Sequence, residues 1–119
     1  MDARRITTQA AQGDVYVRRI SAIPKHATKA MAEGGRQIVA HSGTGHHHYL
    51  DARGVERWED PQDPLRCYLR IELGDVAGGA VLTHARPFDT HAPLALGPGI
   101  WEIRRQREMT PDGWRRVQD

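Results

Sequence analysis

Leu65-Arg66-Cys67-Tyr68-Leu69-Arg70-Ile71-Glu72-Leu73 is the stretch that decides the fold class. Its residues alternate, so Leu65, Cys67, Leu69, Ile71 and Leu73 share one face while Arg66, Tyr68, Arg70 and Glu72 share the other. A repeat of two belongs to an extended strand, whose side chains point alternately to opposite sides. One apolar face and one wetted face is the pattern of an antiparallel sheet covered on a single side.

Working outward, shorter runs of the same character occupy residues 14–20, 36–40, 49–50, 55–58, 80–84, 92–96 and 100–107. Turn-forming residues separate them: Ala22-Ile23-Pro24, Asp51-Ala52-Arg53-Gly54, Pro61-Gln62-Asp63-Pro64, residues 74–79, residues 85–90 around Pro87, and Gly97-Pro98-Gly99. Six to eight short strands broken every eight to twelve residues predict an all-β protein, a small antiparallel barrel or sandwich. Residues 25–35 contain Ala27, Lys29, Ala30, Met31, Ala32 and Glu33 and read as one or two helical turns or a loop. Thr110-Pro111-Asp112 has the capping residue and early proline of a helix start, so residues 110–119 read as a short terminal helix or turn. Residues 1–12 lack periodicity and read as a flexible arm on a single domain spanning 1–119.

Composition bounds the function. The 119 residues carry 17 basic and 15 acidic side chains, a net charge of +2, which argues against a dedicated nucleic-acid binder. No apolar stretch is long enough for a membrane helix, and none follows the basic start as a signal peptide requires. A single cysteine cannot form an internal disulfide, which fits a cytoplasmic setting.

The chemistry-bearing segment is His41-Ser42-Gly43-Thr44-Gly45-His46-His47-His48, which holds four of the seven histidines. If Ser42 to Gly45 close a hairpin, His41 and His46 stand opposite one another across it. Period-two alternation then adds His48 to their face and turns His47 away. His84 ends one strand and His91 begins the next, so pairing of those strands brings two more imidazoles to one end of the sheet. Neutral imidazole is a ligand for zinc, iron, manganese and nickel, so His41, His46, His48, His91 and His84 are the candidate ligands of a divalent ion. Tyr49 follows the cluster and is placed to hydrogen-bond a substrate; Asp51, Glu59 and Asp89 are candidate bases or further ligands.

His46-His47-His48 resembles the His-x-His of the first cupin motif, and Leu94-Ala95-Leu96-Gly97-Pro98-Gly99-Ile100-Trp101 the Pro-Gly turn of the second. The resemblance covers roughly residues 35–104 and implies a cupin-like, metal-binding barrel. Cupins carry a glutamate soon after His-x-His, where Asp51 is the nearest carboxylate here, and a histidine after the turn, where Glu102 stands here. His84 or His91 then replaces that ligand, and Glu102 joins Tyr49 and Asp51 as a catalytic candidate. The chain is also similar to small uncharacterised bacterial and phage proteins that combine an opening Gly-Asp-Val, a His-Gly-x-x-x-Gly-His-x-His segment and a late Arg-Gln-Arg-Glu. Gly13-Asp14-Val15 and Arg105-Gln106-Arg107-Glu108 match the first and last of these.

Other residues read as structural. Cys67 lies on the apolar face, and Trp58, Trp101 and Trp114 read as core or interface. Arg104, Arg105, Arg107, Arg115 and Arg116 form the main basic concentration, able to bind phosphate or carboxylate if gathered on one surface. Two function classes follow. One is a metal-dependent hydrolase, lyase, isomerase or oxygenase acting on a small, anionic substrate. The other is a non-catalytic structural, phage accessory or sensor module, with a structural ion or none. Either is compatible with a homodimer.

Overall fold

The computed structural model describes residues 3–41, 46–72, 80–84, 91–110 and 113–116, and for His91 and residues 107–116 it describes the backbone. Every regular element among them is a β-strand: β1 (Arg4–Ile6), β2 (Gln9–Gln12), β3 (Val15–Ile20), β4 (Thr28–Ala30), β5 (Arg36–Ala40), β6 (His48–Asp51), β7 (Val55–Glu59), β8 (Arg66–Ile71), β9 (Ala80–His84), β10 (His91–Leu96), β11 (Gly99–Arg105), β12 (Arg107–Thr110) and β13 (Gly113–Arg116). Five strands form one sheet in the order β1-β10-β9-β6-β5, and six form a second in the order β2-β3-β11-β8-β7-β4. The pairing is antiparallel except between β1 and β10. The expectation of an all-β sandwich is met.

The alternation in β8 positions the core. Cys67, Leu69 and Ile71 are buried on its inner face, and β11 lays Ile103 against Cys67 and Trp101 against Leu69. β3 continues the layer with Val17 opposite Ile103. Leu50, Leu82, Leu94 and Leu96 from the other sheet close over these residues, making a single apolar cluster between the sheets. The Gly97-Pro98-Gly99 turn joins β10 to β11 and so passes the chain from one sheet to the other. Gly99 takes a positive φ of 139°, and the Arg19 guanidinium sits where a Cβ would stand.

Three local expectations are corrected. Within the expected flexible arm, residues 4–6 and 9–12 are strands, because Gln9 to Gln12 finds a ladder partner in Val15 to Arg18 that no local periodicity announces. Residues 28–30, expected as helical turns or loop, form an edge strand on β7, where Lys29 Nζ reaches Glu56 Oε2 at 3.1 Å. The expected C-terminal helix is instead the hairpin β12–β13, with Met109 opposite Trp114 and Thr110 opposite Gly113. Thr-Pro-Asp-Gly suits a tight turn as well as a helix cap, and the residues on either side of Pro111-Asp112 pair as strands. Pro111, Asp112, Val117 and the turns expected at residues 74–79 and 85–90 lie outside the described residues.

The outer face of β8 is not uniformly wet. Tyr68 is 1% exposed and donates to Asp60 Oδ2 at 2.8 Å. Asp60 also accepts the Gln62 backbone N–H at 2.9 Å, and His26 Nε2 lies 3.2 Å away. That backbone bond, helped by Tyr68 and His26, outweighs burial and holds the Asp60 carboxyl at about 2, below its ordinary 3.8. A carboxyl depressed in the folded state adds stability that is complete above its unfolded value and disappears as pH falls through the folded one. The melting temperature is therefore expected to drop between pH 4 and pH 2, and Asp60→Asn is expected to flatten that drop. Parallel pH–melting curves for the two proteins would refute the assignment.

Candidate functional site

The histidine hairpin begins in the expected register. Arg36 faces Asp51, Gln37 faces Leu50 and Ile38 faces Tyr49, a ladder that would place His41 opposite His46 if continued. It is interrupted between Ile38 and Ala40, and Ala40 becomes the partner of His48. One extra residue in β5, a β-bulge, moves every later pair by one position. His41 consequently stands beside His47, with ring centroids 5.1 Å apart and edge to face. The face shared by His41, His46 and His48 is not formed: His41 is exposed and bonds Glu33 at 3.0 Å, His46 is half-buried, and His48 points into the interior. Ser42 to Gly45 lie outside the described residues.

His48 enters a buried polar cluster. β2 and β3 are joined by Gly13 and Asp14, with Gln12 opposite Val15. Gly13 has φ of 60°, the left-handed conformation that the first position of this two-residue turn demands. The turn tucks both neighbours inward, leaving Gln12 and Asp14 each 2% exposed. Gln12 Nε2 donates to the Leu82 and Ala92 carbonyls, both at 3.0 Å. That turns its Oε1, an acceptor, toward His48 Nδ1 at 2.9 Å. His48 Nε2 lies 3.3 Å from Asp14 Oδ1, and Arg105 Nη2 lies 3.7 Å from Asp14 Oδ2. The His84 ring stacks on His48, with centroids 3.7 Å apart and planes 21° from parallel.

This arrangement does not fit a chelate. Imidazole lone pairs lie in the ring plane, so two stacked rings do not aim at one ion. Both nitrogens of His48 already face oxygen partners. Among the described residues, no group of three or more histidine, cysteine, aspartate or glutamate side chains has a metal-holding arrangement. β9 and β10 do pair as expected, with His84 opposite His91, and His84 does meet the hairpin through His48. The catalytic candidates are dispersed. Tyr49 lies under the Arg36 guanidinium, 4.0 Å from its ring centroid, and Asp51 accepts the Arg53 backbone N–H at 2.9 Å. Glu102 faces outward from β11, with Arg18 and Arg104 at 3.2 Å and Arg66 at 3.8 Å. Asp89 lies outside the described residues.

A different site emerges at the end of the sandwich where β5, β7, β8 and β11 meet. A cavity of about 340 Å³ is lined there by His41, Arg57, Glu59, Arg66, Cys67 and Arg105, among others. Arg57 is only 9% exposed, and its Nη1 donates to Glu59 Oε1 at 3.0 Å. Arg105 Nη2 donates to the His41 carbonyl at 2.9 Å, so one side chain joins the cavity to the Asp14 cluster. Arg104 and Arg105, neighbours in the sequence, go to opposite faces of β11: the first to Glu102, the second to Asp14. Burial pushes the Cys67 thiol up to about 12, so it is protonated at neutral pH and inert. Iodoacetamide is expected to label native protein at least a hundredfold more slowly than protein in denaturant. Equal rates would show the thiol to be open.

Gln12, Asp14 and Arg57 were not among the sequence candidates. The adjacent glycine and aspartate at 13 and 14 are a two-residue hairpin signal, although the flanking Gln9-Ala10-Ala11-Gln12 carries no strand signature. Arg57 falls in phase with Val55, which puts a permanent charge on the inner face of β7. Compared with known proteins, the chain matches a family model over residues 11–106, described as a domain of unknown function (DUF8820). No curated protein and no solved structure matches it.

Proposed function

The chain therefore belongs to the DUF8820 family, and we propose that it is a small-molecule-binding β-sandwich of the sensor or accessory kind, with the cavity at the β5–β7–β8–β11 end as its ligand site. The cavity itself carries this reading. At about 340 Å³ it falls at the small end of ligand pockets, sized for a metabolite rather than a polymer, and it mixes apolar walls with a few charged groups. The candidate metal ligands support the non-catalytic class, since His48 is committed to Gln12 and Asp14 and His41 to Glu33 on the surface. Glu102, enclosed by arginines, is likewise a structural carboxylate in this reading.

The test is a fragment screen by NMR on the whole chain. Bound fragments are expected to shift the backbone amides of residues 38–41, 57–60 and 65–67 together. Hits confined to other surfaces, or none at all, would overturn the proposal.

A further inference from the structure

We infer that the ligand of this cavity carries an oxyanion group, a carboxylate or a phosphate, held by Arg57 and Arg105; this rests on reading the cavity as the binding site. Both arginines leave their strands on the inner side of the sheet: Arg57 lies opposite Leu69, and Arg105 opposite Val15. A guanidinium cannot shed its proton, so burying one is costly unless each N–H finds an acceptor.

Those needs are only partly met. Arg57 gives Nη1 to Glu59, whose side chain is 58% exposed, and Arg105 gives Nη2 to a carbonyl and approaches Asp14. The Nε atoms of Arg57 and Arg105 are buried and have no hydrogen-bond partner among the described residues. Buried donors of this kind are rare in folded proteins, and each calls for an acceptor. Arg66 also borders the cavity, but its Nε is turned toward Asp63 and Glu102, 3.8 Å from each, on the outer side of β8.

Two guanidinium groups, one from β7 and one from β11, turned into one small space make an oxyanion receptor. The two wall carboxylates leave donors over. Glu59 offsets part of the Arg57 charge through the single Nη1 bond and does not reach its Nε, and Asp60 is taken by Gln62, Tyr68 and His26.

The experiment titrates the whole chain with sodium phosphate and with sodium succinate at fixed ionic strength, against sodium chloride. Melting temperature and NMR amide shifts are the readouts. At least one anion is expected to raise the melting temperature in a saturable way and to shift the amides of residues 38–41 and 57–60. Whichever saturates at lower concentration identifies phosphate or carboxylate as the ligand group. Arg57→Met keeps the bulk of the side chain without its donors and is expected to weaken binding at least tenfold. If that variant does not fold, Arg105→Lys, which keeps the charge but loses the planar fork, takes its place with the same expectation. Anions no better than chloride, or binding that survives substitution, would overturn the inference. If neutral fragments still occupied the cavity while both anions failed, the binding-module reading would stand and the oxyanion would fall. No ligand of either kind would remove both.

Discussion

Replacing Asp14 by alanine is expected to destabilise the fold by about 3–5 kcal/mol, the loss seen when one member of a buried charged pair is removed. Asp14 stands between His48 Nε2 at 3.3 Å and Arg105 Nη2 at 3.7 Å, and its own side chain is 1% exposed. Without the carboxylate, Arg105 keeps its charge in a place where water reaches it poorly. His48→Ala is expected to be costly for a related reason, since it opens a void against the His84 ring and strands the Gln12 oxygen. Because the two residues share one network, the double variant is expected to lose less than the sum, by about 0.5–3 kcal/mol. His41→Ala and His47→Ala, on the outer part of the same hairpin, are expected to stay within about 0.5 kcal/mol of the parent. Urea denaturation of the set decides the matter. Similar losses at His41 and His48, or a loss below about 1 kcal/mol at Asp14, would show that the cluster is not what holds this end together.

Trp101→Ala is expected to cost about 3–5 kcal/mol. The indole is fully buried, donates its N–H to the Gly97 carbonyl at 3.0 Å, and carries the Arg19 guanidinium 4.4 Å above its ring. Its removal leaves the largest gap a single truncation can make in the β3–β11–β8 layer. Total stabilities of single domains are about 5–15 kcal/mol, so the variant is expected to melt on the order of 10–20 °C below the parent or to fail to fold at all. Trp101→Phe fills most of the space and is expected to recover more than half of the loss. Arg19→Met isolates the cation–π contact and is expected to cost about 0.5–1 kcal/mol. A Trp101→Ala protein melting within a few degrees of the parent would mean that the core relaxes around the gap.

The strands were legible where burial is one-sided. Residues 65–73 alternate because Cys67, Leu69 and Ile71 face the other sheet, and period two survives any detail of the partner strand. The same holds for residues 80–84, where Ala80, Leu82 and His84 all turn inward. Strands that owe their existence to a neighbour were not legible. Gln9-Ala10-Ala11-Gln12 is a strand because β3 supplies its hydrogen bonds, and Thr28–Ala30 because β7 does. Neither carries a pattern of its own, since β propensity mostly measures fit to a partner surface.

Sequence by itself determined the all-β class, the positions of β3, β5, β7, β8, β9, β10 and β11, and the inward placement of the residues around Leu69, because a repeat of two is a local property of the chain. Tertiary structure alone decided the site. The bulge between Ile38 and Ala40 shifts the hairpin by one residue, and one residue is enough to send His48 inward and leave His41 outside. Gln12 and Asp14 meet His48, His84 and Arg105 from four separate points in the chain, and Arg57, Cys67 and Arg105 meet around the cavity from three. Such meetings depend on which sheet each strand joins and at what register, and those are set by pairing and packing over the whole molecule rather than by any local window of residues.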